Sequence, residues 1–196
     1  MSVLLDAGPA LNFLAVSQQG SLLKVAQAAR AQLSTPERVD IEVRRKATVG
    51  QFSKTAASAT WAKLKSAGRL QVLSDELVDV AFMAAVTRVS GQPATERVRD
   101  KKSLGEIMVL AHASCLAQQG ATVFVLIDES DGRRRAEREA LWLGGQRHVD
   151  GSLVLWGTGQ VLRYAGQRGW LAGNMTWKQV YNQMRPFDDG LPPLPR

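Results

Sequence analysis

The stretch ATVFVLIDESDGRRR, residues 121–135, decides the fold. Residues 122–127 form an unbroken apolar, β-branched run, which predicts a strand buried on both faces of a parallel sheet. Asp128, Glu129 and Asp131 follow it, and a glycine and three arginines then open a predicted helix. Open α/β sheets bind ligands just beyond the carboxyl ends of their strands. The stretch therefore indicates either a site for a divalent cation and an anionic substrate such as a phosphate, or a solvated turn with a capping acid.

A second strand also runs directly into an acid. Residues 3–5 are apolar and end at Asp6, and the turn that follows leads into a helix predicted over residues 10–16. Because the strands of a parallel sheet point the same way, Asp6 and Asp128 are expected to meet at one rim. Taken alone, Asp6 also fits an N-cap of the following helix.

Helical and strand patterns alternate along the rest of the chain, which predicts an α/β fold with a mostly parallel sheet. The acids Asp75, Glu76 and Asp79 suit the first turns of one helix and are interpreted as structural. The predicted helices cover residues 21–33, 36–46, 48–68, 75–89, 103–117, 136–143, 161–165 and 175–184, and further strands cover residues 70–73 and 152–156. Thr35 and Thr176 are predicted N-caps, and Pro36 takes the first position of its helix.

Two further carboxylates have open alternatives. Glu42 either faces the acidic rim or pairs outward with Lys46, four residues later on the same helix. Glu106 fits an S-x-x-E capping box with Ser103, which would explain it structurally. His112 and Cys115, in the same helix as Glu106, are interpreted as packed residues. The basic loop over residues 95–102 is either a strand-tracking surface or a solvated charge run.

Composition bounds the class of protein. The chain has 196 residues, of which 45% are apolar and 22% charged, as expected for a globular domain. Its net charge of +7 and pI near 10.0 favour nucleic acid over a membrane as a partner. The single cysteine excludes an intrachain disulfide and, with two histidines, leaves no zinc cluster. The lone thiol of Cys115 predicts a reducing cytoplasm. No signal-like start and no apolar run of roughly 18 residues is found, so a soluble protein is expected.

Known phosphate-binding and nucleophile motifs are missing from the sequence. It contains no G-x-x-x-x-G-K-[ST] loop, no G-x-G-x-x-G fingerprint and no G-x-S-x-G elbow. Clustered carboxylates remain, and in a basic protein they are stable mainly when a hard cation lies between them. Magnesium or manganese held there would activate water for phosphodiester cleavage.

Four segments resemble the successive signatures of PIN domains, the fold of VapC-type toxin ribonucleases: DAGPALNFL, SLGEIMVLAHA, VLIDESDGRRRA and LWGTGQVL. The resemblance is good from residue 104 to about 170, fair around Asp6 and weak over residues 48–102. It implies a three-layer α/β/α sandwich, RNA cleavage with Mg²⁺ or Mn²⁺, a homodimer and a cognate antitoxin protein. The chain length predicts one domain, placed over residues 1–185 with a helical insertion around 48–102, and four prolines predict an extended or disordered tail over residues 186–196.

The resemblance assigns roles residue by residue. Asp6, Glu42, Glu106 and Asp128 match the family's acids, with Asp131 as an auxiliary member; Asp6, Glu106, Asp128 and Asp131 would bind the metal. Arg133 and Arg134 would face phosphate, and Thr158 would line the site. Gly8 departs from the Ser or Thr of many members, and whether Asp128 or Glu129 faces the metal is open.

Three hypotheses follow. The first is a metal-dependent endoribonuclease, the toxin of a type II toxin-antitoxin pair. The second is a catalytically silent PIN-like module that binds RNA or a protein partner. The third is a DNA nuclease related to the flap-type enzymes.

Overall fold

The computed structural model describes residues 1–188 and 190–194, and within them five parallel strands form one sheet. The strand order is β3-β2-β1-β4-β5. Helices flank the sheet, which confirms the predicted three-layer α/β sandwich. The strands are β1 Ser2–Leu5, β2 Gln32–Pro36, β3 Gln71–Leu73, β4 Thr122–Leu126 and β5 Ser152–Trp156.

The two central strands carry the core of the sheet. In β1, Val3 pairs with Leu33 on one side and with Phe124 on the other. Val3, Leu4 and Leu5 are buried, and so are most residues of β4. Strands covered on both faces read as continuous apolar runs, so these were the strands most visible in the sequence.

Two groups of helices cover the faces of the sheet. Helix α7, Leu104–Gln118, is buried along most of its length and contacts strands and neighbouring helices, which explains why it is apolar all round. One contacting group is α1 Ala7–Ala15, α2 Gln19–Ala28, α9 Thr158–Gln167 and α10 Trp177–Met184; the other is α3 Glu37–Lys46, α5 Val80–Ser90, α7 Leu104–Gln118 and α8 Ser130–Gly144; α4 is Ala57–Ser66 and α6 is Ala94–Arg97.

Strand β2 begins within a segment that was predicted to be helical. The helix expected over residues 21–33 ends at Ala28, and residues 32–36 pair with β1 instead. The segment QLSTP has no apolar alternation, so its own residues gave no strand signal. Tertiary contacts hold it in place: its backbone pairs on both sides, and the Thr35 hydroxyl donates to the Leu5 carbonyl at 3.1 Å. The prediction that Thr35 caps the next helix was therefore wrong, because Thr35 and Pro36 belong to β2 and the helix begins at Glu37.

The region over residues 48–102 combines helices with an edge strand. It contains a 3-10 turn at Phe52–Lys54, then α4, β3, α5 and α6. Helix α5 begins at Val80 rather than at residue 75, and Asp79 caps it by accepting from the backbone N–H of Ala81 and Phe82. The placement of Asp75 and Glu76 in its first turn was therefore wrong. Asp75 instead accepts from the backbone N–H of Arg38 and lies 2.8 Å from His112 Nε2.

The described part of the C-terminal segment packs on the body. A 3-10 turn, Arg185–Phe187, follows α10. Leu191 is buried, and the Tyr181 hydroxyl donates to the Pro192 carbonyl at 2.8 Å. This differs from the extended or disordered tail expected from its prolines; Asp189, Pro195 and Arg196, also part of that expectation, lie outside the described residues. Over the described residues, no helix has the length and apolar character that crossing a membrane requires.

Candidate functional site

A cavity of about 510 Å³ lies beyond the carboxyl ends of the central strands. Carboxylates from separate parts of the chain line it together with basic side chains. Four of the predicted acids are among them. The acids of the cavity are Asp6, Glu42, Glu106, Asp128, Glu129 and Asp188, and its cationic residues are Arg38, Arg45, Lys46 and Lys101.

Asp6 reaches the cavity because β1 ends directly before it. Its backbone N–H donates to the Leu126 carbonyl at 3.2 Å, which joins the ends of β1 and β4. Asp6 occupies the N-cap position of α1, yet within the described chain its side chain makes no capping hydrogen bond. Burial, with added repulsion from Glu42 and Glu129, raises the pKa of Asp6 to about 7.

Glu106 lies on the first turn of α7, and the predicted capping box that would have explained it is wrong. Ser103 has a left-handed backbone with φ 50°, and no capping bond from its side chain is found among the described residues. The Glu106 side chain is almost fully buried, and its Oε2 has no hydrogen-bond partner in the described chain. The nearest cation is Arg135, whose Nη1 lies 3.5 Å from Oε2. Burial, the adjacent Glu129 carboxyl and the charge of Asp6 raise the pKa of Glu106 to about 8.

Two glycines, Gly105 and Gly132, leave room for these acids close to the backbone. A Cβ at Gly105 would lie 3.2 Å from Glu42 Oε2 and 3.7 Å from Asp6 Oδ1. A Cβ at Gly132, in the first turn of α8, would lie 2.7 Å from Ile127 Cγ2 and 3.1 Å from the Glu106 carboxyl. A larger residue at either position would displace a carboxylate of the cavity.

Glu42 satisfies both of its predicted alternatives. It lines the cavity, and its Oε1 accepts from Lys46 Nζ at 2.7 Å. The other carboxylate oxygen, Oε2, is the one that faces Gly105 and Asp6. A single side chain thus connects the basic residues of α3 with the acids of the sheet rim.

Asp128 is fixed by Thr158 at the start of α9. The Thr158 backbone N–H donates to Asp128 Oδ1 at 2.8 Å, and the Thr158 hydroxyl donates to Oδ2 at 2.5 Å. Burial raises the pKa of Asp128, and the two hydrogen bonds from Thr158 oppose this effect. Thr158 is itself fully buried, so its contact is with the acid, and among the described residues it is not one of those lining the cavity.

Three predicted residues of α8 are not brought into the cavity within the part of the chain that the structure describes. Asp131 and Arg134 form an ion pair with each other on the exposed side of the helix. Arg133 Nη1 donates to the Ile127 carbonyl at 3.2 Å. The helix begins at Ser130, and its phase directs Gly132 toward the acids and Asp131 and Arg134 toward solvent.

Several lining residues were not predicted. Asp188 comes from the C-terminal segment, where no pattern connected it with the strand ends. The basic residues of α3 carried a weak signal, since Arg38 and Arg45 are seven apart and therefore share a helix face. Glu129 was an open alternative to Asp128, and both line the cavity.

The acids of the cavity are the type of ligand that hard cations prefer, but their side chains are not arranged around a single metal position. Among residues 1–188 and 190–194, no three His, Cys, Asp or Glu side chains converge closely enough to hold a metal ion. Oxygen donors of this kind nevertheless suit Mg²⁺ and Mn²⁺. The buried, unpartnered Glu106 Oε2 and the mutual repulsion that raises the pKa of Asp6 and Glu106 are both conditions that a cation would relieve.

Comparisons with protein-family models, with curated proteins and with solved structures found no match.

Proposed function

We propose that this chain is a Mg²⁺- or Mn²⁺-dependent endoribonuclease that hydrolyses RNA phosphodiester bonds. The observation that carries the proposal is that Asp6, Glu42, Glu106 and Asp128 line one cavity although they come from four distant segments. Each of them was singled out from the sequence. Asp6, Glu106 and Asp128 lie in segments that resemble PIN-domain motifs, and Glu42, in VDIEVRRK, resembles the second acid of that family. Carboxylates collected at the carboxyl rim of a parallel sheet are the donors that phosphoryl chemistry with hard cations requires.

The residues of the chain would hold and order the reacting groups. Asp6, Glu106 and Asp128, with Glu129 beside them, would hold the cation. A bound Mg²⁺ would supply a water of lowered pKa and would stabilise the charge on the leaving oxygen. Thr158 fixes the Asp128 carboxylate through two hydrogen bonds, and Arg135 offsets part of the charge of Glu106. Preorganised donors of this kind reduce the reorganisation that the reaction would otherwise need.

The basic wall of the cavity supports an anionic polymer as the substrate. Arg38 and Arg45 of α3 and Lys101 line the cavity that the acids also line. We name these three side chains the basic wall. Cations beside carboxylates would orient a phosphodiester with its charge toward the bound metal. This wall takes over the phosphate-facing role that the sequence had assigned to Arg133 and Arg134.

The toxin assignment is the finer part of the proposal, and the motif resemblance alone supports it. On that basis the chain would be the toxin of a type II toxin-antitoxin pair, acting in the cytoplasm. It would form a homodimer, and a cognate antitoxin would inhibit it. Coexpression of the chain with the product of the adjacent gene, followed by copurification, tests this part.

The experiment for activity uses purified protein, structured RNA and single-stranded DNA. With Mg²⁺ or Mn²⁺ the wild type should cut RNA, and EDTA should stop it. Asp6→Asn and Glu106→Gln should each lower cleavage by about 10- to 100-fold, because a neutral amide does not supply the negative charge with which the carboxylate would hold the cation. Asp131→Asn, on the exposed side of α8, is the matched control and should retain wild-type activity. Cleavage in EDTA, or full activity in Asp6→Asn, would contradict the mechanism.

A second candidate is a catalytically silent module that binds RNA or a protein partner. Two observations favour it. No three acids of the described chain are close enough together to hold a metal ion, and the raised pKa values leave Asp6 about half protonated and Glu106 mostly protonated at neutral pH. In the same experiment such a module would bind RNA without cutting it at any metal concentration. Its affinity would be the same in wild type and Asp6→Asn.

A further inference from the structure

The C-terminal segment, residues 185–188 and 190–194, brings an acid to the cavity that the sequence did not connect with it. Asp188 lines the cavity beside Asp6, Asp128 and Glu129. Its Oδ1 accepts from the Gly190 backbone N–H at 2.8 Å, and its Oδ2 accepts from Asn12 Nδ2 at 2.5 Å. Both oxygens are thus held in fixed positions at the mouth of the cavity.

Contacts on both sides of Asp188 anchor the segment to the body. The Phe187 ring packs on the Phe52 ring with centroids 5.3 Å apart. Leu191 is buried in the core, and the Tyr181 hydroxyl donates to the Pro192 carbonyl. The carboxylate therefore belongs to a packed part of the molecule.

Asn12 holds the Asp188 carboxylate, but it leaves one of its own polar atoms unpaired in the core. It lies within α1 and is fully buried, and its Nδ2 makes a charge-assisted bond to Asp188. Its Oδ1 has no hydrogen-bond partner in the described chain. An unpaired buried acceptor is unfavourable, so a purely structural role would be better served by an apolar residue.

The backbone at the start of α1 also leaves room for the carboxylate. A Cβ at Gly8 would lie 3.3 Å from Asp188 Oδ2, which is closer than most such contacts. Position 8 is where the resemblance to PIN domains leads one to expect a hydroxyl side chain. Here the Asp188 carboxylate fills the space that such a side chain would occupy.

Placing another acid in this cavity is unfavourable without a cation. Asp188 lines the same cavity as Asp128, whose two carboxylate oxygens already accept from Thr158. In the same cavity, Glu106 Oε2 is buried and without a hydrogen-bond partner among the described residues. A divalent cation shared by these oxygens would offset the repulsion that their proximity creates.

We propose that Asp188 is a further cation-binding carboxylate of this cavity and that Asn12 is its positioning residue. The proposal rests on the proposed metal-dependent function and adds to it a ligand from the opposite end of the chain. It assigns Asn12 the task of holding Asp188 within reach of a Mg²⁺ or Mn²⁺ ion.

Mn²⁺ binding to the full chain tests the proposal independently of catalysis. Isothermal titration calorimetry with MnCl₂ gives the affinity, and the melting temperature with and without Mn²⁺ separates ligand loss from misfolding. Asp188→Asn should lower the affinity at least about tenfold, with a metal-free melting temperature close to that of the wild type. Asp188→Glu should recover part of the loss. Asp150→Asn, at an exposed position, is the matched control and should bind as the wild type does.

Asn12→Leu tests the positioning role, because leucine has a similar branched shape but cannot donate a hydrogen bond. It should weaken Mn²⁺ binding by less than Asp188→Asn does, and the double variant should bind no more weakly than Asp188→Asn alone. An additive loss in the double variant would contradict positioning.

The outcomes separate this inference from the proposed function. If Asp6→Asn abolishes Mn²⁺ binding while Asp188→Asn leaves it unchanged, Asp188 is not a ligand and the metal site stands without it. Tighter binding in Asp188→Asn would mean that the segment obstructs the cavity, which also overturns the inference. A wild type that binds no Mn²⁺ overturns both proposals.

Discussion

At the scale of the residue, the protonation of individual carboxyl groups determines the charge of the cavity. Asp6 and Glu106 are buried beside other acids, which raises the pKa of Asp6 to about 7 and that of Glu106 to about 8. An unfolded chain would release these protons near their ordinary values of 3.8 and 4.5. The folded protein therefore retains protons that the unfolded chain has lost across the weakly acidic and neutral range.

This difference predicts how stability depends on pH in EDTA. A raised folded-state pKa stabilises the protein fully below the unfolded value and ceases to do so as the pH rises through the folded value. The contribution of Asp6 should therefore be lost between about pH 4 and pH 8. Asp6→Asn should be more stable than the wild type at pH 8 by about 1 to 3 kcal/mol.

Urea unfolding of both proteins at pH 5 and pH 8 measures this effect. The wild type should lose more stability than Asp6→Asn over that interval, since other titrating groups are common to the two proteins. Asp131→Asn, at a largely exposed position, should follow the wild-type curve. Equal pH dependence in wild type and Asp6→Asn would show that Asp6 titrates normally.

Thr158 gives a second prediction at this scale. Thr158→Val keeps the shape of the side chain but removes the hydroxyl donor to Asp128 Oδ2. A buried carboxylate loses a charge-assisted bond, so unfolding should require about 1.5 to 3 kcal/mol less free energy. Chemical denaturation of Thr158→Val and Thr158→Ser measures the loss, and the serine variant should be close to wild type. Thr95→Val at an exposed position serves as the control; an equal change there would discount the result.

At the scale of elements, one partly buried arginine, Arg88, joins three helices. Arg88 of α5 bonds to Glu139 of α8 through Nε and Nη2, with a closest approach of 2.7 Å. Its Nη2 also donates to the Ser114 hydroxyl of α7 at 2.8 Å. The guanidinium lies over the Trp142 ring, 3.5 Å from its centroid. This cluster fixes α8, whose first turn passes beside Glu106.

Removing one partner of this cluster should be costly. Arg88→Met leaves the almost fully buried Glu139 without its cation, which should lower the free energy of unfolding by about 3 to 5 kcal/mol. The double variant Arg88→Met/Glu139→Leu should regain part of the loss, because no charge is then left buried. Urea unfolding gives the values, with the exposed Arg138→Met as the control. A double variant less stable than Arg88→Met would argue against this account.

The elements that could be predicted from the sequence were those whose local residue pattern determines their structure. The apolar strands β1, β4 and β5 and helix α7 were visible in the sequence, and so was the Thr176 cap of α10, which accepts from the Gln179 backbone N–H. Strand β2 was not, since its pairing with β1 and β3 overrides a polar, proline-ended segment. For the same reason α5 begins five residues later than predicted: Asp75 is recruited by Arg38 and His112.

At the scale of the whole molecule, some residues of the cavity were predictable from the sequence and others were not. Asp6 and Asp128 were predictable because they end strands, and the strand ends of a parallel sheet meet at one edge. Asp131 and Arg134 were misplaced because the exact start of α8 sets the direction of every side chain in it. Asp188 depends on how the C-terminal segment returns to the sheet, which no local pattern encodes.

The basic wall gives a prediction for the molecule as a binding surface. In EDTA, labelled single-stranded RNA should bind more weakly to Arg45→Gln and Lys101→Gln than to the wild type. The slope of log affinity against log salt is negative, and each variant should make it about 0.7 less steep, because one fewer phosphate is neutralised. Fluorescence anisotropy across NaCl concentrations measures both quantities. Arg69→Gln is the matched control, since Arg69 lies with Met1 and Gln32 at the amino ends of the strands. An unchanged slope in Arg45→Gln would place the RNA elsewhere.

The sheet order has a consequence for biosynthesis. Val3 has Leu33 as one neighbour and Phe124 as the other, so the middle strand leaves the ribosome long before its second neighbour is translated. At roughly 5 to 20 residues per second, the nascent chain waits several seconds with an apolar edge uncovered. A chaperone that shields this edge during translation would therefore raise the yield of folded protein more than one supplied after release.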